Sequence, residues 1–476
     1  MSTITSTTSI TLNGTSAITV GGKSQSWDSG YFNILDVYAA STIKINIALS
    51  GSSWTAGYLR FTGYSQLSLT DSTTGSGRYI ETISLANQGG NTIIMKNTSL
   101  GTLLGSQGTD TVTLGSADTS AVFLGEGDDK LTTGTGDVNH IDMGGGNNTL
   151  LVSSPWVSSI EAGSGQDSIQ VTGDATEVDF IRSGRGNDTI SVTTSWVGYI
   201  DASRGNDTIS LDSGHFDFIA SGRDNDTISV TTGSIGTLET GQGQDTVRLG
   251  SGGANIIRLG TDADTLILKA LTDTSQLVTA DGGTGISTST DKESDTVNFS
   301  SFTSALTIDL TGRMTVNTGK GYFQINGFEN AVGGSGADTL KGNTLANTLN
   351  GGAGNDKLYG GLGNDILTGG SGADVFVFNT TPGAANIDQI TDFSAKDDTV
   401  WLDVDIFTKA GSIGTLTSDA FHMGSAAHDA SDRIIYDKTL GALLYDSDGT
   451  GSTAAVKFAT LTTGLTLTAA DFLIMT

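Results

Sequence analysis

A chain of 476 residues with 51 acidic against 23 basic side chains carries a formal net charge of -28, which disfavours nucleic acid and anionic membrane as partners. It holds 67 glycines, about twice the usual share, but only 2 prolines and no cysteine, so disulfides and thiol chemistry are excluded. No apolar run approaches the length a membrane-spanning helix needs.

Residues 1–85 are rich in Ser, Thr and Gly and alternate like strands, as in STIKINIAL (41–49), where Ile43, Ile45 and Ile47 share a face. They read as strands that cap or extend the repeat array beginning at residue 86. The opening MSTITSTTSITLNGTS has neither a basic start nor an apolar core, so no N-terminal signal peptide is expected.

Residues 86–268 restart one pattern again and again: a glycine turn, an aspartate, an apolar alternation. The aspartate position falls at Asp110, Asp129, Asn148, Asp167, Asp188, Asp207, Asp226, Asp245 and Asp264, every 19 residues with a single step of 21. Two positions after it stands an apolar column from Val112 to Leu266, and seven before it another, from Leu103 to Ile257. Residues two apart on a strand share a face, so DTISV (188–192) turns Ile190 and Val192 inward and Thr189 and Ser191 outward. No unit can bury its apolar edge alone. Neighbours must therefore stack about 4.8 Å apart into an all-β, parallel β-solenoid with two short strands and two turns per coil.

Glycines such as Gly127, Gly146, Gly165, Gly186, Gly205 and Gly243 precede the aspartates because tight corners need positive φ or close backbone approach. Ser203, Asp224 and Asp262 replace such glycines. A carboxylate beside loop carbonyls is what a hard divalent cation such as calcium accepts; the alternative is that Asp and Gly only cap the turns. The opposite edge reads TTSWVGY, DSGHFDF and TTGSIGT, so one column of sites is expected here rather than two. On the outward parity, Phe180, Tyr199 and Phe218 line up with Trp156 and Trp196 nearby, a platform for sugars or another protomer, or else a ladder that stabilises the rod. The pairs Thr189/Ser191, Thr208/Ser210 and Thr227/Ser229 are similar to the hydroxyl ladders of ice-binding solenoids, but Lys130, Gln170 and Arg248 interrupt that face.

Residues 269–332 break the period with TADGGTGISTSTDKESD and then resume strand-like text, as a spacer or capping insertion would. Residues 333–378 carry a second repeat without a gap: GGSGADTLK, GNTLANTLN, GGAGNDKLY, GGLGNDILT and GGSGADVFV. These match the nonapeptide GGxGxDxUx. On these motifs the chain resembles the RTX, or haemolysin-type calcium-binding, proteins. The resemblance implies a right-handed parallel β-roll in which two nonapeptides make one coil and several Ca2+ ions lie between equivalent turns. It also implies, as calcium-site residues, Gly334, Gly336 and Asp338; Gly352, Gly354 and Asp356; Gly361, Gly363 and Asp365; and Gly370, Gly372 and Asp374. Asp338, Asp356 and Asp374 would line one edge, and Asp365 the other with Asn347, which departs from the motif. The 19-residue array looks like the same roll with one edge altered. Asp110, Asp129, Asp167, Asp188, Asp207, Asp226, Asp245 and Asp264 are then its candidate metal residues.

Residues 379–476 read as a C-terminal β-rich module. IDQITDFSAKDDTVWL (387–402) is similar to the segment after the last coil of RTX proteins, and 431–461 with LTAADFLIM (467–475) to their tail, which type I export machinery reads uncleaved. DSDGTG (446–451) reads as a hairpin turn. His140, His215, His422 and His428 are scattered and no HExxH occurs, so no zinc protease and no enzyme is expected. The expectation is a calcium-dependent structural protein of the bacterial cell surface, a surface layer, matrix or filament, exported unfolded and self-associating outside. The main alternative is an adhesin that binds cell-surface polysaccharide; lesser ones are a polysaccharide lyase or epimerase and an ice-binding protein.

Overall fold

The computed structural model describes residues 54–71, 77–173, 176–283 and 294–476, with strand backbone at 2–3, 8–13, 17–20, 23–26 and 31–50. Side chains are described from residue 55 onward, except 64–66 and 194–195 within strands. Ile43, Ile45 and Ile47 thus lie outside the described side chains, as does most of the polar stretch at 279–295. The chain forms two compact units, Met1–Gln242 and Gly243–Thr476.

In the first unit parallel strands stack in register, one per coil on each side. Val112, Leu131, Leu150, Ile169, Ile190, Ile209 and Ile228 pair in sequence along one sheet. Leu103, Val122, Ile141, Ile160, Ile181, Ile200, Ile219 and Leu238 do so along the other. Each is at most 1% exposed, so the two columns fill the rod's interior. The stack continues toward the N-terminus: Trp54–Asp71 pairs in parallel with Arg78–Asn87 and with Tyr31–Ser50, in longer coils. Before these, Thr8–Asn13, Ala17–Val20 and Lys23–Ser26 pair antiparallel to one another, with Thr8–Asn13 also parallel to Tyr31–Ser50.

The second unit has two parallel sheets. One runs through Thr246–Leu249, Thr265–Leu268, Thr296–Asn298, Asn330–Val332, Thr348–Ala353, Ile366–Ser371 and Asp388–Ile390. The other runs through Thr307–Asp309, Thr339–Lys341, Lys357–Tyr359, Val375–Phe378, Thr399–Asp403 and Phe472–Met475. The stretch at 269–332 therefore supplies rungs, among them Leu277–Asp281, Thr296–Asn298, Thr307–Asp309, Tyr322–Asn326 and Asn330–Val332. At the far end a Phe378, Phe407 and Phe458 cluster, with ring centroids 4.9 and 5.2 Å apart, closes the roll beneath the hairpin of Ala442–Tyr445 and Val456–Thr460. A covered end blocks the edge pairing an open stack invites. DSDGTG is the turn of that hairpin, braced by Asp446 Oδ1, which accepts the N–H groups of Asp448 and Gly449 at 3.1 and 2.9 Å.

The aromatic column is resolved by its ring planes. Phe180, Tyr199 and Phe218 stack face to face at 5.3 and 5.1 Å, tilted by only 15° and 1°, and Arg182 lies over Phe180 at 5.1 Å. These stacked rings form a cross-strand ladder, as the ladder reading of this column requires.

Ser203, Asp224 and Asp262 adopt φ of 73°, 77° and 79° where neighbouring coils have glycine, such as Gly184 at 108°. A side chain in this left-handed region costs about 1–2 kcal/mol. Ser203→Gly is therefore expected to raise stability by roughly 1 kcal/mol, less the hydrogen bond from Ser203 Oγ to Asp201, measured as a shift of the denaturant midpoint.

Candidate metal centre

The aspartates after the turns form a ladder along one corner of the rod. Each uses its backbone N–H to reach the side chain one coil on. Asp110 donates to Asp129 Oδ1 at 2.6 Å, Asp129 to Asn148 Oδ1 at 3.0 Å and Asn148 to Asp167 Oδ1 at 2.7 Å. Asp167, Asp188 and Asp207 donate in turn to Asp188, Asp207 and Asp226 at 2.7–2.8 Å. In the second unit the pattern runs from Asp245 to Asp264 to Asp295, and then to Glu329. In the nonapeptides it runs from Asp338 to Asp356 to Asp374 to Asp398 on one edge, and from Asn347 to Asp365 to Asp388 on the other.

One oxygen of each carboxylate is thus taken, and the other is stranded. Oδ2 of Asp129, Asp167, Asp188 and Asp207, and of Asp356, Asp365 and Asp374, is buried without a hydrogen-bond partner. A buried, unpaired anionic oxygen is costly. Burial accordingly pushes Asp129, Asp167 and Asp356 up to about 7 and Asp207 to about 8, helped by the like charge of ladder neighbours. Burial also raises Asp188, Asp338 and Asp374. Asp365 and Asp388 are both raised by burial; the charge of Asp365 raises Asp388 further, while a hydrogen bond with Asp388 offsets part of the rise at Asp365.

Two asparagines in the ladders, Asn148 and Asn347, reveal what the stranded oxygens face. Asn148 Nδ2 donates to the carbonyls of Gly146 and Ala162 at 3.1 and 3.2 Å, and Asn347 Nδ2 to that of Glu329 at 2.6 Å. Where an amide finds carbonyls to donate to, an aspartate points an anion at the same groups. Only a cation satisfies an oxygen-lined corner of that kind, and carboxylate plus carbonyl oxygens suit hard Ca2+. Elsewhere two carboxylates converge: a Cβ on Gly360 would lie 2.5 Å from Asp365 Oδ2 and 2.9 Å from Asp388 Oδ2. On Gly369 it would lie 2.5 Å from Asp374 Oδ2. The first glycine of the nonapeptide thus keeps open the space beside the carboxylate.

Asp110 and Asp338, each the first aspartate of its ladder, differ. Asp110 Oδ1 accepts from Asn91, and its Oδ2 from the N–H and hydroxyl of Ser106, both at 2.9 Å. Asp338 accepts from the N–H groups of Leu306 at 2.7 Å and Gly334 at 2.6 Å. Of the motif's other glycines, Gly352, Gly354, Gly361, Gly363, Gly370 and Gly372 hold positive φ in the turns, whereas Gly334 and Gly336 of the first nonapeptide do not. Asp226, Asp245 and Asp264 stand in line with their neighbours. Asp295, Asp388 and Asp398 join the ladders although sequence reading did not single them out. Their signal was the text after them, Asp-Thr-Val, Asp-Gln-Ile and Asp-Thr-Val, which repeats the aspartate and apolar spacing without a glycine turn.

Asp207→Asn tests the reading. The new amide would find carbonyls as Asn148 does, so metal-free stability is expected to rise by about 1–3 kcal/mol while bound calcium falls. A fall in metal-free stability would contradict the stranded-oxygen account.

Among the histidines, His215 Nδ1 lies 2.9 Å from Ser234 Oγ and its Nε2 3.0 Å from Asp217 Oδ1. This Ser–His–Asp line stands on an outward sheet face with the imidazole 53% exposed, where water competes for each bond. His428, Asp429 and Asp432 also gather, but their carboxylates brace their own loop. Asp432 Oδ2 accepts the N–H groups of His428 and Asp429, and Asp429 Oδ1 the N–H and the hydroxyl of Ser431.

Compared with known proteins, the chain matches the RTX calcium-binding nonapeptide repeat in four stretches, 176–191, 199–228, 325–344 and 341–376. Two of these lie in the 19-residue array. The extracellular lipase LipA from Serratia marcescens is a structural match at 15% identity with a TM-score of 0.16, spanning 61% of this chain and 45% of the lipase. No curated protein matches the sequence.

Proposed function

The chain carries RTX calcium-binding nonapeptide repeats on a parallel β-solenoid, and from that premise we propose a secreted structural protein of the bacterial cell surface that folds and assembles when it meets calcium. The observation that carries the reading is the row of buried carboxylates, each with one oxygen left over. Asp129, Asp167, Asp188, Asp207, Asp226, Asp245, Asp264, Asp356, Asp365, Asp374 and Asp388 would hold the ions together with turn carbonyls. Calcium bound there supplies positive charge between stacked turns, and nothing more is asked of it.

Extracellular calcium sites commonly work at 10⁻⁴ to 10⁻³ M. Sites of that affinity stay empty in a cytosol and fill outside. The tail fits the same order of events. Phe472 and Ile474 are buried in the strand paired with Thr399–Asp403, so an exporter that reads this segment must meet it before the roll forms. A structural role is favoured by near-uniform coils and by a surface whose Ser–His–Asp line lies open to water. Adding calcium to the purified, metal-free protein and following light scattering and negative-stain images tests the assembly step. Ordered sheets or fibres are expected; a protein that folds yet stays monomeric at high concentration would refute the structural reading and leave calcium binding intact.

A further inference from the structure

One stripe of the rod runs against the charge of the whole. Arg185, Arg204 and Arg223 occupy the same turn position in three consecutive coils, paired in register. All three are exposed, and among the described residues none has an ion-pair partner, unlike nearby Arg182, which meets Asp201 at 3.1 Å. Coil spacing sets them about 4.8 Å apart. Like charges at that spacing repel, yet a chain with 51 acidic residues sets no ladder of carboxylates opposite them.

The groups around the arginines are donors as well. The backbone carbonyls of Arg185, Arg204 and Arg223 are taken by the N–H groups of Gly165, Gly186 and Gly205 at 2.7, 3.0 and 3.2 Å. Beside them runs an amide column in which Asn187 Oδ1 accepts the N–H of Asn206 at 2.9 Å, and Asn206 Oδ1 that of Asn225 at 2.8 Å. With their oxygens occupied, exposed Asn187 and Asn206 offer solvent their NH2 groups. The stripe begins beyond Ser164 and Gln166 and ends at Asp224, while the nearby Asp201 is engaged by Arg182 and Ser203. It is a surface of forks and amides whose acceptors are already used.

We infer that this stripe is a docking site for an acidic polysaccharide with one carboxylate per sugar, laid along the rod axis. Such a chain carries an anion at each sugar, so several carboxylates along its length come within reach of the exposed arginines. The planar guanidinium binds a carboxylate through two parallel hydrogen bonds, and the amide column meets ring hydroxyls. Duplex DNA fits less well, because each strand presents a phosphate every 3.4 Å, out of step with the coils. A second copy of this chain brings a net charge of -28 but no matching ladder of exposed carboxylates in the described turns. The inference concerns a monomer's surface and does not require the assembly step.

The test uses the full-length, calcium-loaded protein and an oligogalacturonate too short to gel, with affinity read by calorimetry at low and physiological salt. The wild-type protein is expected to bind, more weakly as salt rises. The triple variant R185Q/R204Q/R223Q should bind at least tenfold more weakly with an unchanged melting temperature. K130Q/K320Q/K409Q removes the same charge from scattered exposed sites and should change affinity less than twofold. Four results would overturn the inference: no binding by the wild type, equal loss in both triple variants, equal binding of the neutral methyl ester, or equal affinity for duplex DNA of matched charge. A self-associating wild type whose association the arginine variant abolishes would assign the stripe to a second copy instead.

Discussion

Stripped of divalent ions at pH 8, the protein should lose most of its parallel β-structure and recover it when calcium returns, with a midpoint of about 0.1–1 mM. The cause lies in the ladders. Each strand start binds the previous one through an aspartate Oδ1, so the rungs cannot register without drawing the carboxylates together in a buried corner. Without metal, each added coil strands another anionic oxygen. A site at tenfold saturation stabilises by about 1.4 kcal/mol, and ten such sites by roughly 14 kcal/mol, as much as the whole net stability of an ordinary domain. Circular dichroism with and without chelator reads the change directly. An unaltered β signature in chelator would sink the account.

Acid should rescue the metal-free protein. Asp129, Asp167 and Asp356 titrate at about 7 in the folded state and Asp207 at about 8, against an ordinary 3.8, and burial raises Asp388 as well. A raised folded value means that folding takes up protons. The stabilisation is fully present below about 4 and is lost as pH climbs through 7 to 8. Each unit of difference is worth about 1.4 kcal/mol per group, so several groups shifting together dominate the balance. In chelator the melting temperature should therefore be higher at pH 5 than at pH 8. Calcium reverses the order of need: it competes with protons for the same oxygens, so the melting-temperature gain on adding it should be small at pH 5 and large at pH 8. A metal-free protein that melts higher at pH 8 would show that the stranded oxygens find another partner.

Much of this was legible in the text because it is periodic. A 19-residue spacing with apolar residues two after and seven before each aspartate leaves one way to bury both columns, and the register of Ile190, Ile209 and Ile228 follows it. The substituted turns were legible too, since Ser203, Asp224 and Asp262 hold the conformation that their glycine neighbours hold. Residues 269–332 were harder. Their rungs are separated by connections of unequal length in sequence, and added connection length costs little free energy, so periodicity vanished while pairing persisted. Asp295, Asp388 and Asp398 were hidden for that reason.

Composition and repeat alone therefore determined the architecture, the inward columns and the corner where acids gather, because each coil poses the same burial problem and admits the same answer. Only the tertiary structure decided which carboxylates are stranded and which are satisfied. Asp110 is met by Ser106 and Asp338 by Gly334, whereas Asp207 Oδ2 is left unmatched. It likewise turned the aromatic rings upon one another and set three arginines beside used acceptors. These outcomes depend on what the adjacent coil places within hydrogen-bond reach, and a linear spacing carries no record of that distance.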